Sequence, residues 1–174
     1  AVKACIDEAF QNPLPDIIET GNGQSDTAQY YDFFDMSKVP SQYMEKPLCI
    51  HLDMSISGDM TGIAGSWIIG KKPSTDSTQQ SKDLFFQIAF STSIKAPKGF
   101  QISFEKNRNF IRWLKEKGFH IIEITSDTFQ SYDLQQQLKA EGFNCSILSV
   151  DRVDSDKICK PYQYLKNTLY EVNL

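Results

Sequence analysis

From Pro47 onward the chain alternates apolar and polar positions with a period of two. In "LCIHLDMSI", Cys49, His51, Asp53 and Ser55 fall on one side while Ile50, Leu52, Met54 and Ile56 fall on the other, which predicts a strand. Ser57-Gly58-Asp59 supplies turn residues, and "TGIAGSWIIG" follows as a second strand, so the two form a hairpin. After the polar stretch from Gly70 to Asp83, "LFFQIAFSTSI" predicts a third strand and completes an antiparallel meander. The rhythm then changes. "SFEKNRNFIRWLKEKG" sets Phe110, Ile111, Trp113 and Leu114 on one helical face, with Lys115 and Lys117 in the last turn and Gly118 at the stop. "HIIEITSD" reads as a strand, "YDLQQQLKAEG" as a helix carrying Leu134 and Leu138 and ending at Gly142, and "FNCSILSV" as a strand. A last helix begins at Pro161, with Tyr162, Leu165 and Leu169 as its apolar stripe. The expected fold is α/β: a mixed sheet in which a three-strand antiparallel meander is followed by helix, strand, helix, strand and helix, with the helices packed on the sheet.

Residues 1–46 differ in character. Pro13, Pro15, Gly21, Gly23 and Pro40 separate short apolar clusters, and "TGNGQSDTAQ" is loop chemistry, so this stretch reads as an arm or linker. The opening "AVKACIDEAF" fits a helical turn cut at its front, hence a fragment of something longer, and equally a natural terminus. A length of 174 residues with 40% apolar content is enough for one ordinary domain plus that arm. The net charge of −4 means that a nucleic-acid partner would be held by a local basic patch and not by the overall field. Cys5, Cys49, Cys145 and Cys159 form no C-x-x-C pair, and His51 and His120 lie far from zinc-ligand spacing, which argues against structural zinc. No apolar run is long enough to span a bilayer and no signal region opens the chain, so the cysteines read as reduced cytosolic thiols and Asn144-Cys145-Ser146 as an idle glycosylation sequence.

The chemistry lies in two acids. The alternation places Asp53 inside an apolar run, where a buried carboxylate is expected, and Asp127 ends the strand "HIIEITSD". If the first and fourth strands of the series starting at Pro47 are neighbours, the two carboxylates meet. Like charges at close range are costly unless a cation lies between them, so the pair points to magnesium or manganese. Two such ions would hold the attacking water and the leaving oxygen of a phosphodiester. Taken singly, an aspartate in a strand is an edge or turn-capping residue; it is the pairing that carries the signal. Asp59 reads as a turn residue that could alternatively orient a water, His51 as a satisfied, partly buried histidine, and Glu123 as solvent-facing. "GSWIIGKK" approximates a phosphate-binding loop, but Lys72 stands where a hydroxyl is needed and Trp67, Ile68 and Ile69 belong to a strand, so no nucleotide site is expected. Lys71, Lys72, Lys82, Lys95 and Lys98 are candidates for phosphate-backbone contacts, whereas Lys106, Arg108, Arg112, Lys115 and Lys117 read as a solvated helix face.

The order of elements, the segment "HLDMSISGDMTGIA" and the strand end "EITSDTFQS" together resemble the ribonuclease H-like nuclease domain of large terminase subunits, the DNA-packaging motors of tailed bacteriophages. The resemblance covers residues 47–174, with "KPYQYLKNTLYE" matching the segment after the fifth strand of that family and residues 1–46 matching the connector from its motor domain. It implies a metal-dependent endonuclease that cuts concatemeric double-stranded viral DNA during packaging, with Asp53 and Asp127 as catalytic, metal-binding acids and Mg2+ or Mn2+ as cofactor. It also implies a portal protein and a small terminase subunit as partners of the full-length protein, no membrane, and a place in the host cytoplasm and transiently at the procapsid portal. The family adds a third acid in a motif like S-K-D-x-x-D-A; none occurs here, so truncation at the C-terminal end is expected, with Asp151, Asp154 and Asp156 as nearby acids that read as a solvated loop. A resolvase or ribonuclease H on the same fold, or a non-catalytic docking module, are the alternatives.

Overall fold

The computed structural model describes residues 18–20 (backbone only), 28–55, 60–71, 84–95, 101–127 and 131–148. All but Leu148 belong to the unit that runs from Pro15 to Ile147. The expected turn at Ser57-Gly58-Asp59, Lys72, Lys82, Lys98, the acids at 151, 154 and 156, and the helix from Pro161 lie outside the described residues.

The strands are β1 (Ile18–Thr20), β2 (Leu48–Asp53), β3 (Met60–Lys71), β4 (Leu84–Lys95), β5 (Ile121–Ser126) and β6 (Cys145–Ile147), joined in one mixed sheet of order β1-β4-β3-β2-β5-β6. The meander expected from the alternation is present, since β3 runs antiparallel to both β2 and β4. Beyond it, β5 pairs parallel to β2 and β6 parallel to β5. Each of these two pairings is fed by a helix, α1 (Phe104–Glu116) before β5 and α2 (Tyr132–Ala140) before β6, because parallel neighbours need a crossover.

Strand parity decides which face is buried. Leu48, Ile50 and Leu52 of β2, Ile63 and Trp67 of β3 and Ile124 of β5 are all at most 1% exposed, and they form one core with Phe110, Ile111 and Leu114 of α1 and Leu134 and Leu138 of α2. Each such side chain contributes about 1.5–3 kcal/mol by leaving water. α1 starts at Ser103, whose hydroxyl accepts from the Lys106 N–H (3.3 Å). Both helices stop in the same way. Gly118 (φ 95°) and Gly142 (φ 86°) take the left-handed conformation, and the N–H groups of Phe119 and Phe143 reach back to the carbonyls of Leu114 and Leu138. This double wrap satisfies the last carbonyls of each helix and turns the chain into the next strand.

The compositional boundary at residue 46 does not coincide with an edge in the packing. Three 3-10 turns, Tyr30–Phe33, Met36–Lys38 and Ser41–Tyr43, carry the chain across the sheet, and Phe34 and Val39 enter the core. The Phe34 ring meets Phe90 (5.3 Å), Phe110 (5.4 Å) and Trp113 (5.6 Å), while Tyr31 stacks on Trp113 at 5.6 Å. Ile18–Thr20 adds a parallel strand beside Thr92–Ile94. Proline- and glycine-rich composition conceals this contribution because single aromatic anchors between tight turns have no period.

Candidate metal centre

The carboxyl end of β2 and that of β5 lie side by side. In the parallel register His51 is opposite Thr125 and Leu52 opposite Ser126, and the Asp127 N–H donates to the Leu52 carbonyl (3.4 Å). One step further along each strand stand Asp53 and Asp127, so the two aspartates project from neighbouring strand ends separated by the ordinary spacing of about 4.8 Å. Both point away from the core. Leu52 and Ser126 are fully buried against the helices, and alternation sends the next residue of each strand to the opposite face.

Around β2, β5 and β6 that face is polar. Cys49, His51 and Asp53 of β2 sit beside Glu123, Thr125 and Asp127, with Ser146 of β6 next in line. The Ser146 hydroxyl donates to Glu123 (2.7 Å), so Glu123 is engaged within the sheet and is half-buried, not turned freely to solvent. Burial, with Glu123 alongside, pushes the Cys49 thiol above its ordinary range. Asp53 itself is exposed, which corrects the expectation of a buried acid: the alternation fixed its side of the strand, but it occupies the last position of β2, where the sheet ends.

His51 is half-buried, as its place in the strand implies, and its Nδ1 lies 2.8 Å from the Thr125 hydroxyl. The same hydroxyl lies 3.3 Å from the Ile50 carbonyl; in the tautomer that keeps its proton on Nδ1, His51 donates to Thr125, Thr125 donates to Ile50, and the lone pair is on Nε2. Burial holds the imidazole below its ordinary pKa, and the charges of Asp53 and Asp127 act in the opposite direction.

The backbone around the two acids is fixed by hydroxyls that the sequence pattern did not single out. Past Asp53, the fully buried Thr61 accepts from the Ser55 N–H (2.9 Å) and donates to the Ser55 carbonyl (3.2 Å). Past Asp127, Ser131 donates to the Asp127 carbonyl. The one legible signal was Gln135: three residues before Leu138, it shares the buried helical face while being polar.

The basic helix face is also not simply solvated. Arg112 holds Glu141 at the end of α2 through two nitrogens and Arg108 approaches the same carboxylate at 3.8 Å, while Lys115 covers the Phe143 ring and Lys117 the Trp113 ring. Arg108 and Arg112 thereby tie α1 to the end of α2. Lys71 and Lys95 are both exposed, but at opposite ends of the sheet: Lys95 pairs with Met60 near the end that carries Asp53, whereas Lys71 pairs with Leu84 at the other end of β3.

The donor set suits a hard divalent ion. Magnesium is commonly held by one or two carboxylates with water and substrate phosphate completing the shell, and manganese shares that preference for oxygen. Asp53 and Asp127 are the two carboxylates that would hold such an ion; among the described residues no group of three or more His, Cys, Asp or Glu side chains is arranged to hold one. No protein-family model, curated protein or solved structure matches the chain.

Proposed function

We propose that this unit is a ribonuclease H-like, divalent-metal-dependent endonuclease whose metal-binding acids are Asp53 and Asp127. One observation carries the reading: parallel pairing of β2 with β5 brings two aspartates, distant in sequence, to adjacent strand ends on the face opposite the helices. The sheet order β4-β3-β2-β5-β6, with the meander antiparallel and the later strands parallel to β2, supports it further. The likeness of "HLDMSISGDMTGIA" and "EITSDTFQS" to terminase nuclease segments makes concatemeric double-stranded viral DNA the substrate.

When bound, Mg2+ or Mn2+ supplies Lewis-acid stabilisation of the charge that builds on the phosphodiester oxygens. The chain's own part is to bind and orient. Asp53 and Asp127 present oxygens from two strand ends, and burial, which holds the His51 imidazole below its ordinary pKa, disfavours a positive charge beside them. Exposure of Asp53 leaves the site open to a duplex.

The test is incubation of supercoiled plasmid with the full chain and Mg2+ or Mn2+. Nicking and linearisation that stop with chelator are expected. Cleavage confined to the RNA strand of an RNA–DNA hybrid would reassign the protein to ribonucleases H, and absence of cleavage on either substrate would favour a docking module.

A further inference from the structure

We infer that Gln135, Ser126 and Ser131 are positioning residues for Asp127, forming a buried relay that locks the peptide carrying this acid. The relay has a forced direction. The Gln135 amide nitrogen donates to the Ser126 hydroxyl and to the Ser146 carbonyl (2.7 Å), and because a carbonyl can only accept, the amide orientation is fixed. Both amide protons are thereby spent. The Ser126 hydroxyl, accepting from Gln135, donates to Ser131 (2.7 Å), and Ser131 donates to the Asp127 carbonyl. In this order every donor proton of the relay has an acceptor.

Two features set the relay apart from routine core polarity. The three side chains are 0%, 1% and 3% exposed for Ser126, Ser131 and Gln135, so their burial is costly unless each bond is made. Ser131 is also the residue preceding the first turn of α2, where a serine hydroxyl ordinarily caps the helix; here its side chain makes no cap bond and turns back to Asp127. The helix forgoes a local stabilisation and the Asp127 backbone gains a second anchor. The N–H before its Cα is held by Leu52 of β2 and the carbonyl after its Cα by Ser131, so the backbone on both sides of the acid is fixed, from the strand that bears Asp53 and from the helix behind. A carboxylate on a residue anchored on both sides keeps its place beside Asp53 without ordering at the moment a ligand binds.

The catalytic consequence rests on the nuclease reading; the ordering of Asp127 does not, and the experiment separates them. In the full chain, Ser131→Ala, Ser131→Thr and Gln135→Met are compared with Leu138→Ala, a core variant that removes packing without touching the relay. Amide hydrogen exchange is read at Asp127 and, as a control, at Ile124, and plasmid nicking is resolved into kcat and KM. Ser131→Ala and Gln135→Met are expected to speed exchange at Asp127 about tenfold relative to Ile124, the factor that one lost hydrogen bond is worth. They should also lower kcat by a comparable factor with KM for DNA unchanged. Ser131→Thr, which keeps the hydroxyl, should restore both, and Leu138→Ala should leave kcat unchanged below its melting temperature. Unchanged exchange at Asp127 in both Ser131→Ala and Gln135→Met overturns the inference. Accelerated exchange in a protein whose wild type cuts nothing retains the relay and removes the nuclease reading.

Discussion

The two faces of β2 obey different rules. Leu48, Ile50 and Leu52 point into a core that every neighbouring element helps to fill, and their identity is dictated by packing. Cys49, His51 and Asp53 point to the other face, where no packing demand explains an imidazole and a carboxylate in succession. Alternation therefore sorts the strand into a half that makes the fold and a half that is free to carry chemistry. The same division holds on β5, where Ile124 and Ser126 face the helices and Thr125 and Asp127 face the site.

Exchanging neighbours across this divide gives the largest contrast. Asp53→Asn and Asp127→Asn should each lower metal-dependent plasmid cleavage by about two to three orders of magnitude, the usual loss when a group stabilising developing charge is removed. Thermal unfolding should stay near the wild-type midpoint for Asp53→Asn, because Asp53 is exposed. Leu52→Ala, one residue away, should do the reverse. Fully buried, it should cost about 2–5 kcal/mol of stability in denaturant unfolding while leaving the cleavage of the remaining folded protein close to normal.

A smaller effect tests how tightly the core face is fitted. A Cβ added at Gly65 would come within 2.5 Å of the Phe90 ring, which lies across this glycine from the neighbouring strand. Gly65→Ala should therefore destabilise by about 1–3 kcal/mol, read from the same unfolding curves. A neutral result would mean that the Phe90 ring has room to move aside.

The smallest effect belongs to the helix pair. Arg112 holds the Glu141 carboxyl below its ordinary value of 4.5, chiefly through their hydrogen bond. A depressed folded pKa means that the contribution is fully present above that ordinary value and fades as pH falls through the folded one. Because both side chains are partly exposed, Arg112→Met should cost at most about 1 kcal/mol at neutral pH and flatten the loss of stability on acidification. Parallel acid-unfolding curves for the two proteins would show that the pair contributes nothing.

How much of this was legible in the sequence follows the same divide. Strands and helices with a period, from Leu48 to Ile147, could be read because burial of one face repeats along the chain. The neighbouring of Asp53 and Asp127 followed from placing the first and fourth strands of that series together. What the sequence did not reveal lacks a period. Phe34 and Val39 anchor an irregular stretch, and the three-residue β1 draws its pairing from β4 and not from its own pattern. The relay behind Asp127 was largely hidden for a further reason: apart from Gln135, which shares a helical face with Leu138, its members Ser126 and Ser131 resemble surface residues until the fold brings their hydrogen-bonding atoms together. Depth was the other gap, since alternation assigns a side but cannot tell a buried acid from one at the exposed end of a strand, as Asp53 is.

The central claim is that Asp53 and Asp127 together hold a divalent ion, and titration of Mn2+ into the full chain, followed by calorimetry, measures it most directly. The account predicts saturable binding by the wild type that is lost in Asp53→Asn and in Asp127→Asn, with both variants still folded. Mn2+ binding of equal affinity in the wild type and in the Asp53→Asn, Asp127→Asn double variant would contradict it.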